Sequence, residues 1–179
     1  MRLQITTVIL ALALAVPAFG QNMRVSNTSE VKVEGTSNVH DWNAVVEDVR
    51  FEGTRTNDVL NGIRVRFVVE SMESGDGLMN RRIYATLNSE DHPEIVFNIT
   101  DSSVQGQRLT MTGNLTINGV RRQITVTGEM RELSNGNIRI QGSHPVEFSD
   151  HGMDAPSFMF GAMKVGNTVH IKYNIVLIP

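Results

Sequence analysis

Leu109-Thr-Met-Thr-Gly-Asn-Leu-Thr-Ile-Asn-Gly-Val-Arg-Arg-Gln-Ile-Thr-Val126 decides the fold. Asn118-Gly119 at its centre suits a type I′ turn, whose two central residues both need positive φ. A two-residue loop there faces Ile117 with Val120, Leu115 with Arg122, Gly113 with Ile124 and Met111 with Val126. The opposite face pairs Thr116 with Arg121, Asn114 with Gln123, Thr112 with Thr125, Thr110 with Thr127 and Arg108 with Glu129. One face is apolar and the other polar. A slip of one residue would exchange them, so the register is strongly specified.

The same period of two runs outward from this hairpin. Ile63, Val65, Phe67 and Val69 alternate with wetter neighbours, as do Ile95, Phe97 and Ile99, and Val169, Ile171, Tyr173, Ile175 and Leu177. Such alternation, in segments rich in valine, isoleucine and threonine, predicts strands with one dry face. Further turns are expected at Asn61-Gly62, Gly75-Asp-Gly77, Gln105-Gly106, Asn135-Gly136 and Gly166-Asn167. One segment departs from the pattern. Met79, Ile83 and Leu87 recur at helical spacing until Asp91-His92-Pro93 forces the chain out of helix. The expectation is an all-β fold: a closed antiparallel lipocalin-like barrel of about eight strands. A short amphipathic helix would lie near one opening.

Composition narrows the setting. Residues 1–20 carry Arg2, an apolar run from Ile5 to Val16, Pro17 and then small residues, the layout of a cleavable secretory signal. The apolar run is shorter than the roughly 20 residues a spanning helix needs. Residues 21–179 are expected to form one domain, periplasmic or secreted. Removing Arg2 with the signal takes the net charge from −3 to −4. A mildly acidic chain without basic clusters has no electrostatic footprint for nucleic acid. No later segment is apolar enough for stable membrane insertion. Cysteine is absent, which excludes disulfides, thiolate metal sites and a lipid-bearing cysteine.

Catalytic motifs are absent too. His40-Asp41 and Asp150-His151 are adjacent pairs. In a strand such neighbours point to opposite faces and cannot act together. In a Gly-bearing loop, local hydrogen bonding is the expected role for the second pair. His40, His92, His144, His151 and His170 show no metal-ligand spacing. The reading is therefore no catalysis, no metal and no cofactor.

Four stretches stand out together: Gly35-Thr-Ser-Asn-Val-His-Asp-Trp42, Leu78 to Leu87 followed by His92-Pro-Glu-Ile-Val-Phe97, Leu109 to Val120, and Pro156-Ser-Phe-Met-Phe-Gly161 with Lys164 to Val169. In this order they resemble the YceI-like family of periplasmic, lipocalin-like barrels, whose better-known members bind polyisoprenoids. The first strand lacks the longer histidine-bearing pattern of the polyisoprenoid-binding branch, and Ser149 to Met153 stands where the family has an Arg-x-x-Phe-Gly-Met element, without its arginine and phenylalanine. The resemblance implies the fold more strongly than the ligand.

A small barrel can be filled by side chains or hold one ligand. Gly113 opposite Ile124, and Gly142 on its own strand, either open a tunnel or mark a bulge in a packed barrel. If a tunnel exists, its wall would come from Ile63, Val65, Phe67, Val69, Ile95, Phe97, Ile99, Met111, Leu115, Ile124 and Val126. Arg122, near the turn on the dry face, could snorkel to the rim and meet a polar head group. Trp42 reads as core filling or as a ligand anchor. The expected function is non-catalytic binding, sequestration or transport of a lipid-like molecule, such as a polyisoprenoid or quinone, in the cell envelope. The alternative is a ligand-free barrel acting through protein–protein contacts in envelope stress or adhesion.

Overall fold

The computed structural model describes residues 21–56 and 59–179. The expected signal at residues 1–20 lies outside them. Thirteen strands form among the described residues. In chain order they begin with β1 (Gln21–Asn22), β2 (Arg24–Val25), β3 (Glu30–Ser37), β4 (Trp42–Val46), β5 (Val49–Thr56), β6 (Val59–Val68) and β7 (Met72–Glu73). Helix α1 (Gly77–Thr86) follows. The chain continues through β8 (Glu94–Gln105), β9 (Arg108–Ile117), β10 (Val120–Glu132), β11 (Ile138–Glu147), β12 (Ser157–Phe158) and β13 (Met163–Ile178).

Hydrogen bonds run in the order β1-β5-β6-β8-β9-β10-β11-β13-β3-β4-β7. The central hairpin β9–β10 has the register its residues dictate, from Ile117 opposite Val120 to Arg108 opposite Glu129. Leu109, Met111, Leu115 and Ile117 are buried on its inner face.

The expected closed barrel of about eight strands does not form. The main sheet has twelve strands and is an open half-barrel that curls through 292° with its edges 10 Å apart. The two-residue β12 pairs separately with β13. Neighbouring hydrogen-bonded strands lie about 4.8 Å apart, so edges at this separation cannot pair. The shortness of the outer strands is the physical reason. β1 meets β5 over Gln21 and Asn22 only, and β7 meets β4 over Met72 and Glu73 only.

Two expected turns are bulges instead. Asn61-Gly62 lies inside β6, where the register against β5 shifts between Glu52 and Thr54 and Gly62 has φ 61°. Gly166-Asn167 lies inside β13, where the register against β3 shifts between Val165 and Val169. A positive-φ glycine and an extra residue serve a bulge as well as a turn, and each increases the local bend. Gly75-Asp-Gly77 opens α1: the Asp76 carboxylate accepts from the Leu78 and Met79 N–H groups at 2.7 and 2.9 Å. These bonds, Met79 first, hold the Asp76 carboxyl below its usual range.

Gly113 and Gly142 do not open space. A Cβ on Gly113 would stand 2.3 Å from the Asn98 carbonyl oxygen and 2.8 Å from the Ile99 Cα. The register of β8 against β9 shifts between Ile99 and Asp101, so this glycine admits a bulged neighbouring backbone. Gly142 faces Gly128 across β10 and β11. The Tyr173 ring fills the site, with its hydroxyl 2.4 Å from where a Gly142 Cβ would be. That hydroxyl donates to the Thr127 carbonyl at 3.0 Å. Gly35 is covered in the same way by the indole of Trp42, its partner across β3 and β4. Glycine is the residue that lets a ring lie flat on a strongly bent sheet.

Two outcomes follow. Gly113→Ala forces backbone apart and is expected to cost about 1–3 kcal/mol, read as a lowered urea midpoint. Gly77→Ala, whose added Cβ would meet only an Arg81 nitrogen at 3.8 Å, is expected to leave that midpoint unchanged or higher. Burial pushes the Tyr173 phenol from 10.0 up to about 12. A raised folded value means that its stabilising contribution is complete below the unfolded pKa and disappears as pH rises through the folded one. Stability should therefore fall between pH 10.0 and about 12, and Tyr173→Phe should abolish that part of the fall. Phenolate absorbance in a Tyr84→Phe background measures it directly.

Candidate functional site

The inner faces of the strands enclose an apolar cavity of about 230 Å³. Ten of the eleven residues expected to form its wall do so: Ile63, Val65, Phe67, Ile95, Phe97, Ile99, Met111, Leu115, Ile124 and Val126. Val69 does not. β6 ends at Val68, and the chain enters a short 3-10 turn over Val69–Ser71, so the period of two stops one residue early. Val69 is fully buried behind the wall, and its N–H donates to the Pro93 carbonyl at 2.9 Å.

Half the wall comes from strands outside that expectation. β3 and β4 contribute Val31, Val33, Ala44 and Val46, and β11 contributes Ile140 and Val146. All five alternating residues of β13, from Val169 to Leu177, also face inward. Their period was visible; which other strands shared their inside was not.

Helix α1 and its C-cap supply Met79, Arg82, Ile83, Thr86 and Leu87, so the helical stripe forms part of the cavity wall. Tyr84 anchors the helix by donating to the Met72 carbonyl at 3.0 Å. On another side the wall is completed by Met153, Pro156, Phe158 and Met163. Arg82 lies over the Phe158 ring, 4.1 Å from its centroid, and so joins helix to loop by a cation–π contact.

Few polar side chains reach this space. They are Ser37, His40, Trp42, Arg82, Thr86, His144 and Tyr173. Burial holds the His144 imidazole below its ordinary range, which favours the neutral ring. Trp42 lines the cavity while its Nε1 is buried against Gly35 without a hydrogen-bond partner. Among the described residues, no hydrogen bond joins the side chains of any two of these seven. A nucleophile or general base needs such a partner within reach.

The two adjacent acid–histidine pairs have local roles. His40 and Asp41 sit in the turn between β3 and β4, with His40 Nδ1 at 2.8 Å from the Asp41 backbone carbonyl. His151 is buried, with Nδ1 at 3.2 Å from the Val120 carbonyl. Arg122 faces the same 3-10 turn: its Nε donates to the Asp150 carbonyl at 2.6 Å, outside the cavity wall. Arg122, expected at the rim, is not among the residues that line the cavity. No group of three His, Cys, Asp or Glu residues that could hold a metal occurs among the described residues. No helix among them is long and apolar enough to cross a membrane.

Comparison with known proteins agrees with this architecture. The solved structure of Burkholderia cenocepacia BcnA superposes with a TM-score of 0.74 over 85% of this chain and 98% of that one, at 17% identity. A polyisoprenoid binding domain from Saccharophagus degradans, described as implicated in plant cell wall breakdown, gives 0.66 over 87% and 97% at 10% identity. The YCEI protein of Campylobacter jejuni gives 0.59 over 96% and 97% at 14% identity. Among curated sequences, the UPF0312 protein plu2095 of Photorhabdus laumondii is 26% identical over 86 residues, a match spanning 45% of each chain. Residues 18–177 match the family described as the YceI-like domain. Through that match over most of its length, the chain belongs to the YceI-like family.

Proposed function

We propose that the protein binds and carries a narrow, lipid-like molecule in the cell envelope and does no chemistry on it. The observation that carries this reading is the cavity itself: an inside faced by aliphatic, methionine and aromatic side chains from both halves of the sheet and from α1. Well-packed interiors leave few voids larger than a water molecule. A space of about 230 Å³ is therefore a feature of the fold and not a packing defect. It lies just under the roughly 300–1,000 Å³ of ordinary small-molecule pockets, which suits a slender chain better than a bulky polycycle.

The energetics suit a hydrocarbon. Each methylene moved from water into this wall contributes about 0.8 kcal/mol, so a prenyl tail needs few hydrogen bonds to be held. A polyisoprenoid or the tail of a quinone fits this description, and the likeness to the polyisoprenoid binding domain of Saccharophagus degradans supports the first. The separate local roles of the cavity's polar groups support the absence of catalysis. Membership of the YceI-like family supports a periplasmic or secreted location.

The test is native purification, organic extraction and mass spectrometry of what co-purifies. A prenyl lipid or quinone is the expected product. A protein that emerges empty and ignores added prenyl lipids and quinones would overturn the reading. Ile124→Trp places an indole inside the cavity and is expected to abolish uptake of a fluorescent farnesyl probe while the far-ultraviolet spectrum stays that of a sheet.

A further inference from the structure

Five large apolar side chains are strongly exposed among the described residues: Val39, Leu78, Val104, Met159 and Phe160. Four of them are neighbours in sequence of residues that line the cavity or stand one position further away. Val39 precedes His40, Leu78 precedes Met79, and Met159 and Phe160 follow Phe158. Only Val104 lies elsewhere, near the β8–β9 turn.

The turn that carries Met159 and Phe160 has an unexpected composition. The Gly161 N–H donates to the Phe158 carbonyl at 3.1 Å, and Met159 and Phe160 both have φ 53°. Positive φ at both residues is left-handed backbone, which favours Asn and Gly and disfavours bulky side chains. Asn118-Gly119 takes the same left-handed backbone elsewhere in this chain with φ 48° and 72°, in a two-residue loop where this one has four residues. Here instead two large apolar residues occupy it, and Phe160 is 113% exposed. A sequence that accepts an unfavourable backbone in order to present a phenylalanine to water has a use for that phenylalanine.

Asn38 ties this turn to the one bearing Val39. Its Nδ2 donates to the Ala162 carbonyl at 2.9 Å, and its Oδ1 accepts from the Lys164 N–H at 2.7 Å. Val39, Met159 and Phe160 are thereby held in two linked turns beside the cavity-lining residues His40, Phe158 and Met163. Cations flank them. Arg82, over the Phe158 ring, and Lys164, opposite Ser157, make no ion pair among the described residues, whereas Arg50 and Arg66 on the outer sheet are paired with Asp48, Glu52 and Glu94; one exposed acid, Asp41, shares the Val39 turn. Asp76, the acid at the start of the same helix as Arg82, is committed to the backbone of α1.

We propose that this apolar, cation-flanked tip inserts into the surface of an anionic phospholipid bilayer and so brings the cavity opening to the membrane. The proposal rests on the carrier reading for its purpose but not for its observations. Apolar side chains at the end of a rigid hairpin enter the acyl boundary, and nearby cations meet lipid phosphates. A ligand insoluble in water would then pass between bilayer and cavity without crossing bulk solvent.

Flotation with vesicles of phosphatidylethanolamine and phosphatidylglycerol tests it. The wild-type protein should float, and Phe160→Asp should reduce attachment by at least about tenfold. Val104→Asp, far from the tip, should not. Met159→Asn with Phe160→Gly restores the residues preferred by the turn; it should raise the thermal midpoint and yet lose attachment. That combination separates a membrane role from a structural one. Wild-type protein that stays with the buffer, or equal loss in Val104→Asp, overturns the proposal. So does a tip-dependent dimer in sedimentation without flotation, which would make the tip a protein contact. Uptake of the fluorescent farnesyl probe from free solution reads the carrier function separately. Loss of flotation with uptake intact supports the tip, whereas flotation by a protein that takes up no probe defeats the carrier reading alone.

Discussion

Side chains that alternate between two faces oblige a curled sheet to have an inside. Everything else in this protein depends on that constraint. Once Leu109, Met111, Leu115 and Ile117 are committed to one face of β9, the register of the Asn118-Gly119 hairpin commits Ile124 and Val126 to the same side. Each further strand added by hydrogen bonding inherits the choice, because a one-residue slip would move its apolar row into water. The cavity is what remains at the centre when the strands from β5 round to β4 in the sheet obey this rule.

Curvature brings a second constraint. Inward side chains converge as a sheet bends, and rings as large as indole and phenol need somewhere to lie. Trp42 lies on Gly35, and Tyr173 lies on Gly142 and Gly128. At these places the backbone itself is the packing surface. Bulges opposite Gly113, at Gly62 and around Gly166 supply the bends. Apart from Arg82, charge stays outside this arrangement, as in the Arg66 pairing with Glu52 and the Lys172 pairing with Glu34.

Much of this was legible in the residues because it is local. The register of β9 and β10, the dry rows of β6 and β8, and a helix through Met79 and Ile83 all follow from periodicity or turn chemistry. Closure was not legible. Whether the first and last strands meet depends on pairing between distant segments, and no alternation within β1 or β7, each two residues long, encodes it. Asn61-Gly62 and Gly166-Asn167 announce an unusual backbone but not whether the chain reverses or bulges there. Gly113 and Gly142 announce a missing side chain, but a bulged strand takes up the first space and a distant tyrosine the second. The wall itself was half legible. Residues on strands with known inside faces were placed, while Val31, Ala44 and Ile140 needed the topology to join them. His144 and Arg82 were missed for the same reason, since a polar residue on a mostly dry row carries no signal of what it will face.

The gap between the sheet's edges has a mechanical meaning. In a fully hydrogen-bonded cylinder, every change in girth must stretch or break a ladder bond somewhere around the ring. With its margins 10 Å apart, this wall is a cuff and not a hoop. It can widen or tighten by small changes of twist shared among many strands while every existing bond stays made.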